Sequence, residues 1–247
     1  WLEAQSLFGK TVFTEKAGVN AVLVHSAPDL KAVWDNLAFS ISLYAGQMCT
    51  APQNIFLPTQ GITDASGQHH SYQDLVDGLR QALRKIKDHP QMGPGVLATV
   101  QNSRTMERIR SLQEQAGDAV LLGSEAVAHE AFPHALSCSP LLVEANVDRK
   151  DWFGAEQFGP IAFVIPYPEV DQAMNLMLEQ IKQHGALSCG IYCNDAALCE
   201  RIADQLAEAF VPVSFNLTGP IYLNQHAAFS DFHGTGGNAA GTASFCD

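Results

Sequence analysis

The chain has 247 residues, 47% of them apolar and 16% charged, a balance that supports a globular core and excludes predominant disorder. No run of 18 or more apolar residues occurs, so no membrane span is expected. The net charge of −12 argues against a nucleic-acid partner, whose phosphates call for a basic face.

Taken in chain order, residues 11–13 read as a short strand, and 20–24 as a strand apolar enough to be buried on both faces. Ser26, Pro28 and Asp29 signal a helix start, and Leu30, Val33, Leu37, Ile41 and Tyr44 recur at helical spacing up to Gly46. Residues 55–57 form a strand closed by Pro58, and the polar stretch 59–71 reads as a loop. Leu75, Leu79, Leu83 and Ile86 predict a helix over 72–87, after which Pro90, Gly93, Pro94 and Gly95 break the chain. A helix over 104–116 turns Met106, Ile109 and Leu112 inward and stops at Gly117. Strands follow at 119–122, 141–143 and 161–165, then a helix over 170–184 ending at Gly185. Strand 187–193, helix 195–210 and short strands near 213–216 and 221–224 complete the pattern, and residues 229–247 read as irregular. This alternation predicts one α/β domain, a mostly parallel sheet with helices on both faces. Its functional crevice is expected at the carboxyl ends of the strands.

The six cysteines, Cys49, Cys138, Cys189, Cys193, Cys199 and Cys246, include no Cys-x-x-Cys pair, and no histidine pair completes a zinc site. They read as reduced thiols of a cytoplasmic protein, and no metal is expected.

Three segments carry candidate chemistry. In Gly46-Gln47-Met48-Cys49-Thr50 a thiol on a tight turn after a helix is a candidate nucleophile, with a buried structural cysteine as the plainer reading. In Thr14-Glu15-Lys16-Ala17-Gly18-Val19-Asn20 a carboxylate beside a flexible Ala-Gly suits a general base, or a surface acid paired with a lysine. In Glu156-Gln157-Phe158-Gly159-Pro160 a Gly-Pro turn presents an acid to a ligand hydroxyl, or the acid merely stabilises the turn. The Gly-rich tail lacks the strand–loop–helix setting and spacing of a phosphate loop.

Together the order Glu…Gly-x-Asn, Gly-Gln-x-Cys-Thr, Glu-x-Phe-Gly-Pro resembles the catalytic half of the aldehyde dehydrogenase superfamily, from about Thr11 to Asn224. The 34 positions between Glu15 and Cys49 suit that family as well. The resemblance implies that Cys49 attacks an aldehyde to form a thiohemiacetal, which loses hydride to NAD or NADP and becomes a thioester. It implies Glu15 as the base for hydrolysis, Glu156 on the nicotinamide-side ribose, Phe158 along the cofactor, and the Cys49 N–H as half of an oxyanion hole. Asn224 matches an asparagine of the family's late strand, in a structural role. Lys16-Ala17-Gly18 departs from the usual Leu-Gly-Gly, and Ala228-Phe229-Ser230-Asp231 from the usual Pro-Phe-Gly-Gly.

The segment from Asn224 to Asn238 and the stretch Leu37-Ala38-Phe39-Ser40 to Thr50 are similar to the PaaN type, associated with aerobic phenylacetic acid degradation. That implies a ring-cleavage semialdehyde, carried on coenzyme A, as substrate. No Gly-rich dinucleotide fingerprint occurs, about fourteen residues precede Glu15, and the chain opens at Trp1 without a Met. The expectation is therefore a catalytic domain over 1–247 of a longer protein. Its N-terminal NAD(P)-binding domain lies elsewhere, the isolated piece is inactive and retains no cofactor, and the full-length form is a homo-oligomer. Two other readings stand beside this one. In one, Cys49 serves an acyl hydrolase or transferase with His25 or His233 as base; in the other, a degenerate family member acts as an assembly module.

Overall fold

The computed structural model describes residues 17–228. The strands are β1 (Ala21–Val24), β2 (Asn54–Pro58), β3 (Ile62–Thr63), β4 (His69–His70), β5 (Val120–Leu122), β6 (Leu141–Glu144), β7 (Ile161–Tyr167), β8 (Cys189–Tyr192) and β9 (Val213–Phe215). The helices are α1 (Leu30–Ser42), α2 (Tyr72–Lys87), α3 (Met92–Leu97), α4 (Ser103–Ala116), α5 (Lys150–Phe153), α6 (Val170–His184), α7 (Ala196–Ala207) and α8 (Leu223–Ala228). Seven strands form one sheet in the order β5-β6-β7-β2-β1-β8-β9. Its neighbours run parallel, apart from the antiparallel β5–β6 pair. β3 and β4 pair separately as a small antiparallel hairpin.

Side chains alternate across the sheet, and both sides are covered. Val22, Val24, Ile55 and Leu57 pack with Leu37 of α1 and Leu75 and Leu79 of α2. Ala21, Leu23 and Phe56 face the other way, toward Met177 of α6 and Ile202 of α7. Every residue of β1 and β2 is buried, and each fully buried leucine contributes roughly 2 kcal/mol. Local signals set the helix ends. Asp29 caps α1 through the Ala32 N–H, Ser71 and Asp74 form a reciprocal capping box on α2, and Gly185 closes α6 at φ 75°.

Several elements differ from the sequence expectation, among them the short helix α5, which is not expected between strands 141–143 and 161–165. The helix from Leu30 ends at Ser42. Leu43–Gly46 continues as a 3₁₀ turn in which Tyr44, Ala45 and Gly46 take φ of 55°, 56° and 61°, so Tyr44 swings outward and is 55% exposed. The stretch 59–71 contains the β3–β4 hairpin, whose turn is tied by Asp64 to the N–H groups of Ser66 and Gln68. The Gly/Pro-rich break contains α3, because Pro94 falls in a first turn, where its missing N–H costs nothing. Near 221–224 the chain enters α8 instead of a strand. There Asn36 binds the Ile221 carbonyl and the Leu223 N–H, and Leu223 packs against Gly190. The strand expected at 11–13 lies outside the described residues.

Candidate active site

The Cys49 and Glu156 segments converge at the amino ends of β1, β2 and β7, not at the carboxyl ends expected from the general rule for parallel sheets. Connectivity explains the difference. α1 runs back against β1, so the turn after α1 that carries Cys49 emerges at the edge where β2 begins. The segment with Glu156 likewise directly precedes β7. A narrow crevice at this edge is lined by Gly18, Asn20, Met48, Glu156 and Phe158, among others.

The Cys49 turn is held from four directions. The Ala51 N–H donates to the Met48 carbonyl at 2.9 Å and closes the turn. Asn20, immediately before β1, donates through Nδ2 to the carbonyls of Cys49 (2.7 Å) and Ala51 (2.9 Å). Thr50 donates through Oγ1 to the Asn224 carbonyl at 2.7 Å and accepts at its own carbonyl from Ser188 Oγ at 2.9 Å. Gln47 donates to the carbonyls of Tyr44 and Thr99 and accepts from the Gln101 N–H, each at 2.8 Å. Cys49 itself is partly exposed, whereas Cys138, Cys189 and Cys193 are buried. Burial pushes the Cys189 thiol up to about 12 and that of the partly exposed Cys199 up to about 11.

The Glu156 loop is riveted by Gln53, the residue just before β2. Its Oε1 accepts from the Gln157 N–H at 2.6 Å, and its Nε2 reaches the carbonyls of Phe153 (3.1 Å) and Ala155 (3.2 Å). The Gly18 N–H donates to Glu156 Oε1 at 3.4 Å, which brings that carboxylate to the strand start that follows the Glu15 segment. Phe158 is 39% exposed at the mouth of the crevice, and its carbonyl accepts from Arg108. The two loops touch backbone to backbone. A Cβ on Gly46 would lie 2.4 Å from the Gly159 oxygen and 3.0 Å from Pro160 Cα. Gly46 is thus required by this contact, whereas Gly159 is required by its own φ of +137° and by Thr105 Cγ2, which lies 2.6 Å from where its Cβ would be.

Cys49, Glu156 and Phe158 are therefore gathered at one edge, while Glu15 and His233 lie outside the described residues. His25 follows the far, carboxyl end of β1, where its Nδ1 lies 3.5 Å from the Tyr167 hydroxyl; it does not join Cys49. A roomier apolar cavity of about 680 Å³ lies beside Thr99, lined by Ala98, Phe132 and His134 among others. It brings no thiol or carboxylate, whereas the narrower crevice is lined by Glu156 and by Met48 and Ala51 on either side of the Cys49–Thr50 pair.

Residues 2–242 match the aldehyde dehydrogenase family. The chain belongs to the aldehyde dehydrogenase family. It is similar to the solved structure of an NAD-dependent aldehyde dehydrogenase from Burkholderia multivorans, with 38% identity and a TM-score of 0.87 over 96% of this chain and 43% of that one. Among curated proteins it is similar to the 4,4'-diaponeurosporen-aldehyde dehydrogenase of Staphylococcus aureus, 23% identical over 79% of this chain and 39% of that protein. It is also similar to the N-succinylglutamate 5-semialdehyde dehydrogenase of Yersinia pestis, 26% identical over 85% and 39%. The chain thus spans about two fifths of the length of these aldehyde dehydrogenases.

The sequence reading of this aldehyde dehydrogenase chain gave no role to Gln53 and none to Asn20 or Gln47 beyond their place in motifs. The available signal was an amide side chain directly ahead of an apolar strand, as in Asn20 before 21–24 and Gln53-Asn54 before 55–57. A polar group in such a place is buried only when fully hydrogen-bonded. Asn224 is buried and donates to the Ser40 carbonyl and toward Met48 Sδ, which is a supporting position behind the Cys49 turn.

Proposed function

We propose that this chain carries the thiol chemistry of an NAD(P)-dependent aldehyde oxidation. The observation that carries the reading is the convergence of Cys49, on a turn tied through the carbonyls of Met48, Cys49 and Thr50, with Glu156 and Phe158 at one sheet edge in a member of the aldehyde dehydrogenase family.

The crevice fits the nicotinamide-side half of the cofactor by its chemistry. A carboxylate accepts hydrogen bonds from a ribose diol, and an exposed aromatic ring offers a flat apolar face. Glu156 and Phe158 would hold the cofactor there. Bound NAD(P)⁺ supplies the hydride acceptor that turns a thiohemiacetal into a thioester. The remaining work falls to the chain's own groups. The Cys49 thiolate adds to the aldehyde carbon, forming the C–S bond and placing charge on the former carbonyl oxygen. The Cys49 N–H donates to that oxygen. Glu15 takes a proton from water as it attacks the thioester, releasing the carboxylic acid and the thiol.

For the substrate, we propose a coenzyme A-linked ring-cleavage semialdehyde of aerobic phenylacetate degradation. The reading is supported by the likeness of Leu37–Thr50 and of the segment from Asn224 to the PaaN type. The share of its relatives that the chain spans supports a working unit longer than this chain, which we propose also contains an N-terminal cofactor-binding domain and, as the family resemblance implies, assembles as a homo-oligomer in the cytoplasm. Among the described residues no helix is long and apolar enough to cross a membrane.

The test is NAD(P)H formation with aldehydes by the full-length protein, by Cys49→Ala and by Glu15→Gln. Cys49→Ala abolishes turnover, and Glu15→Gln stalls at the acylated thiol. Unchanged activity in Cys49→Ala would remove the covalent mechanism.

A further inference from the structure

We infer that Asn20 is the positioning residue that fixes the backbone of Cys49; the inference rests on Cys49 being the nucleophile. Two peptide planes flank Cys49. The plane before it is held through the Met48 carbonyl, which accepts from the Ala51 N–H at 2.9 Å. The plane after it is held through the Cys49 carbonyl, which accepts from Asn20 Nδ2 at 2.7 Å. With both planes fixed, φ and ψ of Cys49 are fixed, and so are the directions of its Cα–Cβ bond and its N–H.

Asn20 can act as a fixed point because it cannot swivel. Its second amide hydrogen goes to the Ala51 carbonyl at 2.9 Å, and its Oδ1 accepts from the N–H groups of Leu187 (2.8 Å) and Ser188 (3.0 Å). All four hydrogen-bonding positions of the amide are filled, and the residue is 3% exposed. Its own carbonyl accepts from the N–H groups of Gln53 and Asn54, both at 3.1 Å, so its main chain is tied to the start of β2 as well. Aspartate keeps the two acceptor bonds but has no donor for the carbonyls of Cys49 and Ala51. Leucine keeps neither. Only an amide of this length joins the turn to the 187–188 strand entry without a charge.

The test uses Asn20→Asp in the full chain. As a carboxylate, the new side chain would push against two carbonyl oxygens; once protonated, it regains one donor and approaches the native geometry. The groups around it are those two carbonyls, the two N–H groups of 187–188 and, two residues away, the Glu156 carboxylate that reaches Gly18. Burial and the neighbouring negative charge both raise the pKa of the new carboxyl. Iodoacetamide labelling of Cys49 is followed by peptide mass spectrometry, with partly exposed Cys199 as internal reference and near-UV circular dichroism as the check on folding. The ratio of variant to wild-type Cys49 rates should be near one at about pH 5 and fall about tenfold or more by about pH 8. The Cys199 ratio should stay flat. In turnover, kcat falls while the KM for aldehyde stays within about twofold.

A folded Asn20→Asp whose Cys49 ratio stays within about twofold at every pH overturns the inference. Should that variant not fold at the higher pH, Asn20→Ser, which carries no charge, is held to the same labelling criterion. If Cys49 of the wild-type protein labels no faster than Cys199, the nucleophile reading itself fails, and this inference fails with it.

Discussion

Gly46→Ala puts a single methyl group where the two loops of the site meet. At φ +61° any residue with a Cβ incurs the left-handed penalty, about 1–2 kcal/mol. The methyl would also lie 2.4 Å from the Gly159 oxygen and 2.8 Å from its carbonyl carbon, both main-chain atoms that cannot rotate away. Overpacking of this kind costs about 1–3 kcal/mol, so the total is about 2–5 kcal/mol. At a urea slope near 2.5 kcal/mol/M, the unfolding midpoint drops by about 1–2 M. Two companion variants separate the causes. Gly67 has φ +85° with open space around a Cβ, so Gly67→Ala pays the backbone penalty alone and drops the midpoint by about 0.5 M. Gly95 lies inside α3 with open space and no positive φ, so Gly95→Ala leaves the midpoint unchanged or raises it by a few tenths molar, about 0.5–1 kcal/mol. A Gly46→Ala midpoint within about 0.3 M of wild type, or no larger a loss than Gly67→Ala, would refute the backbone contact as the reason for Gly46.

Further outcomes follow from the site and the core. Gln53→Leu strands the Gln157 N–H and the carbonyls of Phe153 and Ala155, and should cost about 2–4 kcal/mol in urea unfolding while raising the KM for NAD(P)⁺ more than it lowers kcat; a change below about 0.5 kcal/mol contradicts the clamp. Burial, aided by the Glu144 carboxylate that accepts its proton at 2.6 Å, holds the Tyr72 phenol far above its ordinary range, and burial does the same to Tyr167 and Tyr192. The folded form therefore keeps protons that the unfolded chain releases above about pH 10, so their contribution is whole below that pH and is lost as pH rises past it. In an alkaline titration read at the tyrosinate absorbance, these three should ionise together with unfolding. Their ionisation in the still-folded protein contradicts the assignment.

Where local signal and packing agree, the chain was readable before folding. The period of Leu75, Leu79, Leu83 and Ile86 returned α2 at its observed bounds, because the same face that repeats every turn is the face the sheet buries. The same reasoning carried α6 to Gly185. It failed at Tyr44, whose spacing continues that of α1. There the close approach of Gly46 to Gly159 governs, a contact between residues more than a hundred positions apart that no local window contains. It failed again at 221–224, where Asn36 of α1 supplies the bonds that start a helix from a strand-like triplet. In the site, the motif residues Cys49, Glu156 and Phe158 were legible as types at spacings. The edge of the sheet they occupy was misjudged by applying a rule for strand–helix crossovers to segments that enter strands. The amides around them were not legible, since their partners are main-chain groups, which leave no trace in residue identity.

The rivets of this crevice are Asn20, Gln47 and Gln53, and none of these side chains takes up or releases a proton in the range where proteins stay folded. Acid or alkali therefore changes the charge of the reacting groups without loosening the frame around them. Under the proposed assignment, a pH profile reads Cys49, Glu15 and Glu156 directly, with no scaffold titration folded into it. An enzyme framed by salt bridges offers no such separation, because its geometry and its chemistry titrate together.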